Sequence, residues 1–468
     1  MIPAAELAEL YRRGDATPVE ATKDALAAID RHSDAVNAFV LVDADGALES
    51  ARKSEQRWRA GDPLGAADGI PTSIKDILLT AGWPTLRGSL LIDDAGPWTE
   101  DAPAVARLRE GGAVLLGKTT TPEFAWKGVT DSIRHGVTGN PWGADLQPGG
   151  SSGGSATAVG LGMGSWSVGT DGGGSVRIPA SLTSTVALKP TYGLIPLYPA
   201  SPFGTLSHAG PMTRTVRDAA ILLDVLAGFD ARDPTAMPTP TGSFARALDD
   251  GIDGLRIAFS PDLGFVRNDP EVDSAVRAAV AVLEQAGARV EQIDPGFTDP
   301  VEALHVLWFA GVAKVLDFYP AEAIERIDPL LRRSVEQGRT LTASDFLDAG
   351  AVRTELGITM ARLHTEFDLL VTPTLPIAAF PTGRDTPAGW HSDLWTSWTP
   401  YTYPFNLTGQ PALSVPCGFT ADERPIGLQL VGARHADELV LRAGHSYQQR
   451  TDWSRRVPTL HRTGETSR

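Results

Sequence analysis

The sequence of 468 residues is 42% hydrophobic and 21% charged, which is ordinary for a globular protein with a substantial core. Its 41 Lys and Arg residues against 57 Asp and Glu residues give a net charge of −16. This balance argues against a broad nucleic-acid surface, because such a surface is basic. The N-terminus lacks the features of a signal peptide and no apolar run reaches the length of a membrane span, so we expect a cytoplasmic protein without a membrane partner.

The single cysteine, Cys417, excludes an intramolecular disulfide. The chain therefore does not depend on an oxidising compartment. Cys417 lies in the apolar segment SVPCGFT, and free cysteines in such segments are usually buried, so we expect a core thiol rather than a nucleophile.

The first predicted element is a helix within an N-terminal helical segment over residues 1–60. Thr17 and Glu20 have the spacing of a capping box, and Pro18 occupies the first helical position. Farther along, residues 230–365 are rich in helix signals and form a candidate cap, although no linker bounds them. Residues 450–468 form a polar and loosely held tail, and we expect one domain over residues 1–468.

Short apolar runs alternate with helical patterns along the rest of the chain. Buried strands are predicted at 112–117, 255–259 and 367–373. Between the last two, a helix is predicted to begin at Pro270 and to stop at Gly287. Strands and helices in this alternation predict an α/β protein with a largely parallel or mixed sheet.

One segment, GGAVLLGKTT, matches the P-loop pattern from Gly112 to Thr119. A P-loop needs a strand followed by a flexible loop whose N–H groups wrap phosphate. Here the residues between the two glycines are Ala-Val-Leu-Leu, which favour the strand itself. The match therefore does not indicate a nucleotide site.

A second segment, GGSSG at 149–153, matches the nucleophile-elbow pattern with Ser151 at its centre. That pattern requires a strand leading into the serine, whereas NPWGADLQP contains two prolines and indicates a loop. None of the nine histidines, among them His208, His364 and His391, lies in a catalytic motif. An elbow-type esterase is therefore disfavoured.

A third interpretation uses the second glycine-serine patch, GTDGGGS at 169–175. Its glycines allow successive N–H groups to converge on an anion, as a tetrahedral intermediate requires, and Ser175 follows as a nucleophile. A lysine can act as the base if burial lowers its pKa, and Lys75 is flanked by Ile74 and Ile77. The alternative is a partly exposed lysine beside Asp76.

The motifs resemble those of the amidase signature family over most of the chain, least so at 230–365. They occur in the family's order and approximate spacing: GIPTSIKD, GGAVLLGKTTTPEFAWKG, GNPW, PGGSSGGSATAVGLGMGSWSVGTDGGGSVRIPAS, LKPTYG, FDLLVTPTLP and FNLTGQPALSVPCGFT. The resemblance implies a large mixed, mostly parallel twisted sheet covered by helices on both faces. It also implies hydrolysis of amides by a monomer or homodimer, with no cofactor, metal or nucleic-acid partner.

The resemblance further implies a Ser–Ser–Lys triad, in which Ser175 is the nucleophile, Ser151 the bridging serine and Lys75 the base. The peptide bond between Gly150 and Ser151 is expected to be cis. The oxyanion hole is assigned to four N–H groups, those of Gly172, Gly173, Gly174 and Ser175.

Three residues are expected to support this site. Asp171 and Arg177 flank the glycines and are expected to pair, either to brace the site or as a structural ion pair. Ser152 is expected either to hydrogen-bond near the lysine or to cap the following helix. Family members commonly carry a side chain at the position of Gly172, so we expect a more flexible loop here.

The substrate is expected to be a small, apolar or aryl amide, with ester or carbamate cleavage as a side activity. Aromatic residues that could line its pocket are Phe124, Trp126, Trp390, Trp395 and Trp398. The alternative for these side chains is packing of a long loop onto the core. The alternative function is the glutaminase subunit of a tRNA-dependent amidotransferase.

Overall fold

Helices and strands alternate along residues 2–460, which a computed structural model describes. Residues 461–468 of the predicted polar tail lie outside the described residues. The strands are β1 (Phe39–Val42), β2 (Pro71–Lys75), β3 (Val114–Thr119), β4 (Asp131–Ser132), β5 (Gly136–Val137), β6 (Trp166–Asp171), β7 (Val186–Lys189), β8 (His208–Thr213), β9 (Arg256–Phe259), β10 (Arg289–Gln292), β11 (Leu369–Pro373), β12 (Ala412–Phe419) and β13 (Pro425–Gly432). The α-helices are α1 (Ala4–Arg13), α2 (Pro18–Val36), α3 (Ala44–Ala60), α4 (Pro103–Glu110), α5 (Gly153–Gly160), α6 (Arg177–Thr183), α7 (Val216–Leu226), α8 (Pro270–Gln285), α9 (Val301–Leu316), α10 (Pro329–Thr340), α11 (Ala343–Glu366), α12 (Pro404–Leu407) and α13 (Asp437–Gln448).

One sheet of 11 strands has the order β1-β3-β2-β6-β8-β7-β12-β13-β11-β9-β10. The α/β class and the mixed sheet are therefore confirmed. Parallel pairs do not predominate, however: among the described strands of this sheet, four neighbouring pairs are parallel and six are antiparallel. Connection length is one reason, because residues 420–424 alone join β12 to β13 and are too few for the crossover that a parallel pair needs.

Helices cover both faces of this sheet. Side chains alternate between faces along a strand, and in β11 Leu369 and Val371 belong to one hydrophobic cluster whereas Leu370 belongs to another. The first cluster includes side chains from α1, α4, α7, α8 and α13. The second includes side chains from α9, α10 and α11. The two clusters therefore lie on opposite faces, as expected.

The elements predicted from sequence are observed with small shifts of their ends. The three predicted strands correspond to β3, β9 and β11, and the predicted helix to α8. The capping box of α2 is present, since the N–H of Glu20 donates to Thr17 Oγ1 at 3.1 Å and the N–H of Thr17 donates to Glu20 Oε2 at 2.9 Å. Cys417 is buried, as predicted.

The P-loop match is part of a strand, as the apolar residues indicated. The match ends at Thr119, the last residue of β3, and its lysine, Lys118, is fully buried in that strand. The ammonium group of Lys118 donates to the carbonyl of Leu78 and to Thr85 Oγ1, both at 2.8 Å. These groups occupy the lysine, so it is not available to a phosphate.

The candidate cap over 230–365 consists of two parts with different positions. Its strands β9 and β10 extend one edge of the main sheet. Helices α9, α10 and α11 pack over the second hydrophobic cluster, where α9 contacts both α10 and α11. No helix among residues 2–460 combines the length and the apolar character needed to cross a bilayer.

A buried lysine ties α10 to the rest of the structure. The ammonium group of Lys127 is 2.8 Å from Asp328, 2.9 Å from Asp385 and 3.2 Å from Asp131. Asp328 is also the N-cap of α10, where it accepts from the N–H groups of the first turn. Burial lowers the pKa of Lys127, but the three carboxylates outweigh burial and raise it overall.

Replacing Lys127 by Met is expected to reduce the free energy of unfolding by about 3–5 kcal/mol, because it leaves three partly buried carboxylates without a cation. The contribution of Lys127 is complete below the ordinary lysine pKa of 10.5, since its folded-state pKa is higher still. Urea unfolding at neutral pH measures the change. Lys53→Met is the control, because Lys53 forms an exposed pair with Glu49, and an equal effect in both variants would contradict the assignment.

Candidate active site

The candidate site lies where two parallel strands end. Lys75 is the last residue of β2, Asp171 is the last residue of β6, and these strands are parallel neighbours. The carboxyl ends of adjacent parallel strands share one edge of a sheet, where α/β proteins usually bind their ligands. The loops that carry Ser151 and Ser175 lead into α5 and α6 at the same edge.

Lys75 is completely buried and contacts two hydroxyl groups. Its Nζ is 2.7 Å from Ser151 Oγ and 2.9 Å from Thr170 Oγ1. Burial lowers the pKa of Lys75 well below its ordinary value, although the charge of Asp171 opposes the shift. The alternative of a partly exposed lysine beside Asp76 is wrong, because the side chain has no exposed surface. Thr170 was not predicted, because a threonine inside a strand carries no motif.

The two glycine-serine segments contact each other directly. The peptide bond between Gly150 and Ser151 is cis, as the resemblance implied. The N–H of Ser152 donates to the carbonyl of Ser175 at 3.1 Å, and the Ser152 hydroxyl donates to the carbonyl of Thr170 at 3.1 Å. Its side chain forms no capping bond to α5. Ser152 therefore connects the two segments near the lysine and is not a side-chain cap.

The glycine-rich turn after β6 is arranged around the carboxylate of Asp171. The N–H of Gly174 donates to Asp171 Oδ1 at 2.7 Å, and the N–H of Val176 donates to Oδ2 at 3.2 Å. The expectation that Gly174 donates to an oxyanion is therefore wrong, because its N–H is already occupied. Within residues 2–460, the N–H groups of Gly172, Gly173 and Ser175 have no hydrogen-bond acceptor, so these three are free to bind a ligand.

Asp171 and Arg177 form a fully buried ion pair, as the resemblance implied. Arg177 Nε is 3.0 Å from Oδ2 and its Nη2 is 3.0 Å from Oδ1. The remaining guanidinium hydrogens are donated to the carbonyl of Thr402, to Gln429 and to Asn406. Burial raises the pKa of Asp171, but Arg177 and Asn406 outweigh it and hold the carboxyl ionised. The pair thereby fixes the turn that precedes Ser175.

A cavity of about 150 Å³ opens onto both serines. Phe124 is one of its lining residues, as predicted. The larger apolar side chains of the remaining lining were not predicted; they are Ile77, Leu78, Leu197, Phe203, Trp308 and Val315. The rings of Phe203 and Trp308 are stacked at 4.2 Å.

The other four predicted pocket residues, Trp126, Trp390, Trp395 and Trp398, do not line this cavity. Three of them are buried, and they pack the wall from behind or hold loops in place. The indole of Trp395 packs edge-on against Trp308 at 5.5 Å, and the carbonyl of Trp126 accepts from Trp308 Nε1 at 3.0 Å. Trp398 Nε1 donates to the carbonyl of Asp385. Trp390 faces a different surface cavity.

The absence of a side chain at Gly172 has a steric reason. A Cβ atom placed there would lie 2.9 Å from the indole of Trp308. A gap of that size is shorter than ordinary van der Waals contact, so a larger residue would displace the ring. Glycine at this position therefore allows the Trp308 ring to form the cavity wall. This contact, rather than flexibility of the loop, explains the glycine.

One histidine, His208, also lines the cavity. Its Nδ1 lies 2.8 Å from the carbonyl of Leu206, which indicates that Nδ1 carries the hydrogen, and its Nε2 then accepts from Lys189 at 3.2 Å. Neither ring nitrogen is hydrogen-bonded to a serine. Burial and the neighbouring Lys189 lower the pKa of His208 well below its ordinary value. Within residues 2–460, no group of three His, Cys, Asp or Glu side chains is placed to hold a metal ion.

Comparison with known proteins agrees with this fold. The family model for amidases matches residues 20–441. The chain belongs to the amidase signature family and is an amide-hydrolysing enzyme.

Its relatives include both simple amidases and a component of a larger enzyme. The chain is 35% identical to an acylamidase of Rhodococcus erythropolis, over 98% of this chain and 97% of the relative. It is 37% identical to a glutamyl-tRNA(Gln) amidotransferase subunit of Chloroflexus aggregans, over 96% of both. A crystal structure of a bacterial aryl acylamidase superposes with a TM-score of 0.90 and is 29% identical, over 97% of both chains.

Replacing Lys75 by Met is expected to raise the free energy of unfolding. Because the folded-state pKa of Lys75 is lowered, the unfolded chain binds a proton that the folded chain lacks between that pKa and 10.5. The stability of the wild type therefore rises with pH across this window, and the gain from Lys75→Met shrinks. Urea unfolding at about pH 6, 8 and 9.5 measures the trend. A gain that stays constant over this range would contradict the buried, neutral amine.

Proposed function

We propose that this enzyme hydrolyses the C–N bond of small apolar or aryl amides through an acyl-enzyme formed on Ser175. The observation that carries the proposal is the 2.7 Å contact between Lys75 Nζ and Ser151 Oγ. A buried lysine with a lowered pKa is a base, and here it contacts a serine that lines the same cavity as Ser175.

The contact between Lys75 and Ser151 supports the following proton path. Neutral Lys75 accepts the hydroxyl proton of Ser151, which accepts that of Ser175 as Ser175 Oγ bonds to the amide carbon. When the tetrahedral intermediate collapses, the C–N bond breaks and the proton returns from Lys75 through Ser151 to the departing amine. Water then attacks the acyl-enzyme, gives its proton to the same relay, and releases the carboxylic acid and free Ser175.

The developing oxyanion is proposed to bind the free N–H groups of Gly172, Gly173 and Ser175. Such donors stabilise a transition state because they are oriented before charge develops. The ion pair of Asp171 and Arg177 supports this role, since it fixes the turn without using those three hydrogens. The N-terminus of α5 begins two residues after Ser151 and adds a partial positive charge near the site.

The cavity supports an apolar or aryl substrate of modest size. Phe124, Tyr198, Phe203 and Trp308 give it four aromatic side chains. The volume of about 150 Å³ is roughly ten times the minimum that one water molecule needs, so small amides fit it better than peptides. Acylamidase and aryl acylamidase relatives agree with this choice. Esters and carbamates form acyl-enzymes by the same chemistry, and we propose them as side substrates.

The alternative is glutaminase activity within a tRNA-dependent amidotransferase, which the relative from Chloroflexus aggregans favours. Free glutamine carries an α-ammonium group, which a buried site would have to compensate with a carboxylate or similar acceptors. Among the described residues, the cavity lining contains no Asp or Glu. This absence favours the stand-alone amidase over the glutaminase.

Replacing Ser175 by Ala is expected to lower kcat/KM for an anilide by at least about 10³-fold, because the bond to the acyl carbon can no longer form. Lys75→Ala is expected to lose nearly all activity and Ser151→Ala to lose less. Steady-state kinetics on the purified chain with anilides, aliphatic amides, peptide amides, carbamates and glutamine measures these effects. Ser155→Ala is the matched control, because Ser155 is buried in α5, contacts Thr119 and lies outside the cavity.

Two outcomes of that experiment would contradict the proposal. Hydrolysis that survives in Ser175→Ala would show that another group attacks the amide. Hydrolysis confined to glutamine would favour the amidotransferase function.

The pH dependence of kcat/KM is expected to rise from acid into mildly alkaline pH, because only neutral Lys75 accepts a proton. Thr170→Val is expected to move this rise to lower pH. Thr170 Oγ1 lies 2.9 Å from Lys75 Nζ, and its loss removes an acceptor that stabilises the charged amine. A rate that is flat from about pH 5 upward, or a rise that Thr170→Val leaves in place, would contradict Lys75 as the base.

A further inference from the structure

Arg87 lines the same cavity as Ser151 and Ser175. Among the described residues of this lining, it is the one side chain with a permanent charge; His208 is the other basic residue and is held neutral. The remaining lining residues are apolar side chains, hydroxyl groups and glycine. A single guanidinium therefore sets the charge of an otherwise neutral cavity.

The backbone of Arg87 is held firmly on both sides. The N–H of Leu86 donates to Asp76 Oδ1 at 3.2 Å, and the N–H of Phe124 donates to the carbonyl of Arg87 at 2.8 Å. Arg87 has a φ of +53° and is followed by Gly88 at +64°. A left-handed backbone is unfavourable for a residue with a side chain. Residues that keep an unfavourable backbone conformation beside a cavity often have a functional role.

The guanidinium of Arg87 has no partner of its own in residues 2–460: it makes no hydrogen bond and no ion pair there. The two acidic groups that act on it are Tyr319 and Asp76. Asp76 is already engaged with Lys118 at 3.5 Å and with the N–H of Leu86. Burial lowers the pKa of Arg87, which is so high in arginine that the group stays charged near neutral pH.

Three basic residues that are fully or almost fully buried have carboxylate partners, whereas Arg87 has none among the described residues. Arg177 pairs with Asp171, Lys127 with three carboxylates and Lys118 with Asp76. Arg87 is partly buried, and a charge removed from part of its water without a partner is costly, so a structural role does not explain its retention beside the serines. A ligand that brings a carboxylate would supply the missing charge and accept two hydrogens from the planar guanidinium.

We propose that the substrate carries a carboxylate that Arg87 binds, separated from the scissile amide by an apolar or aryl group. This rests on the proposed function, because it assumes that the amide lies at Ser175. The aromatic side chains of Phe124, Phe203 and Trp308 contact the apolar spacer. The preferred class is therefore acidic amides, such as acylaminobenzoates or half-amides of dicarboxylic acids, rather than neutral anilides.

Matched substrates test this selectivity. The first pair is 4-acetamidobenzoate and its methyl ester, and its acid carries the carboxylate on the amine side of the scissile amide. The second pair is N-phenylsuccinamate and butyranilide, and its acid carries the carboxylate on the acyl side. We expect the wild type to prefer the acid in at least one pair. Arg87→Met is expected to lower the acid-to-neutral ratio of kcat/KM by about 10–100-fold, since charge-assisted hydrogen bonds are lost. Arg87→Lys is expected to give a ratio between those of the wild type and Arg87→Met, because lysine keeps the charge but cannot donate two parallel hydrogen bonds to a carboxylate.

A binding measurement separates failure of this inference from failure of the proposed function. In Ser175→Ala, calorimetry with the two acids as probes reports binding without turnover. We expect the preferred acid to bind and Arg87→Met, added to Ser175→Ala, to weaken it by a similar factor. If no amide is cleaved but this binding behaves as expected, the proposed reaction fails and the carboxylate site stands. The carboxylate site is overturned if the wild type does not prefer the acids and if Arg87→Met changes neither their hydrolysis nor their binding.

Discussion

The amine of Lys75 is the group on which the rest of the site depends. A lysine buried at the end of β2 is chemically useful only if it is neutral, and burial supplies that condition. The carboxylate of Asp171, whose charge acts on this amine, would favour the charged form if it were free. Its pairing with Arg177 and its bonds to the glycine turn occupy that carboxylate and reduce its pull on the lysine. The ion pair therefore helps to keep neutral a lysine with which it forms no hydrogen bond.

The parts of the site that could be predicted from sequence are those encoded by short motifs. Lys75, Ser151, Ser175 and the pairing of Asp171 with Arg177 all lie in such motifs, and the structure brings them to one edge of the sheet. The use of the Gly174 N–H by Asp171 could not be predicted, because it depends on how the turn curls back toward its own first residue. Thr170 was missed for a related reason, since its contact follows from the position of a strand and not from a pattern.

The cavity wall was predicted less well, and the reason is physical. A segment rich in aromatic residues indicates side chains that bury large surfaces. It does not show whether those side chains face the cavity or pack behind its wall. Trp395 and Trp398 lie behind the wall, whereas Trp308 and Phe203 form it. Trp308 comes from α9, in the part of the chain with the weakest resemblance to the family, and Phe203 comes from a loop without a motif. The fold class was predictable, whereas the share of antiparallel pairs depended on loop lengths and strand order.

The contact between Gly172 and Trp308 separates two kinds of change that this protein can undergo. The reacting groups lie at the end of β2 and on the loops that lead into α5 and α6, while the ring that limits the cavity comes from α9. A substitution in α9 can therefore alter the shape of the chamber without moving a proton-transfer group. The reacting groups and this limit on the shape of the cavity lie on different elements, so the range of substrates can change while the reaction is kept.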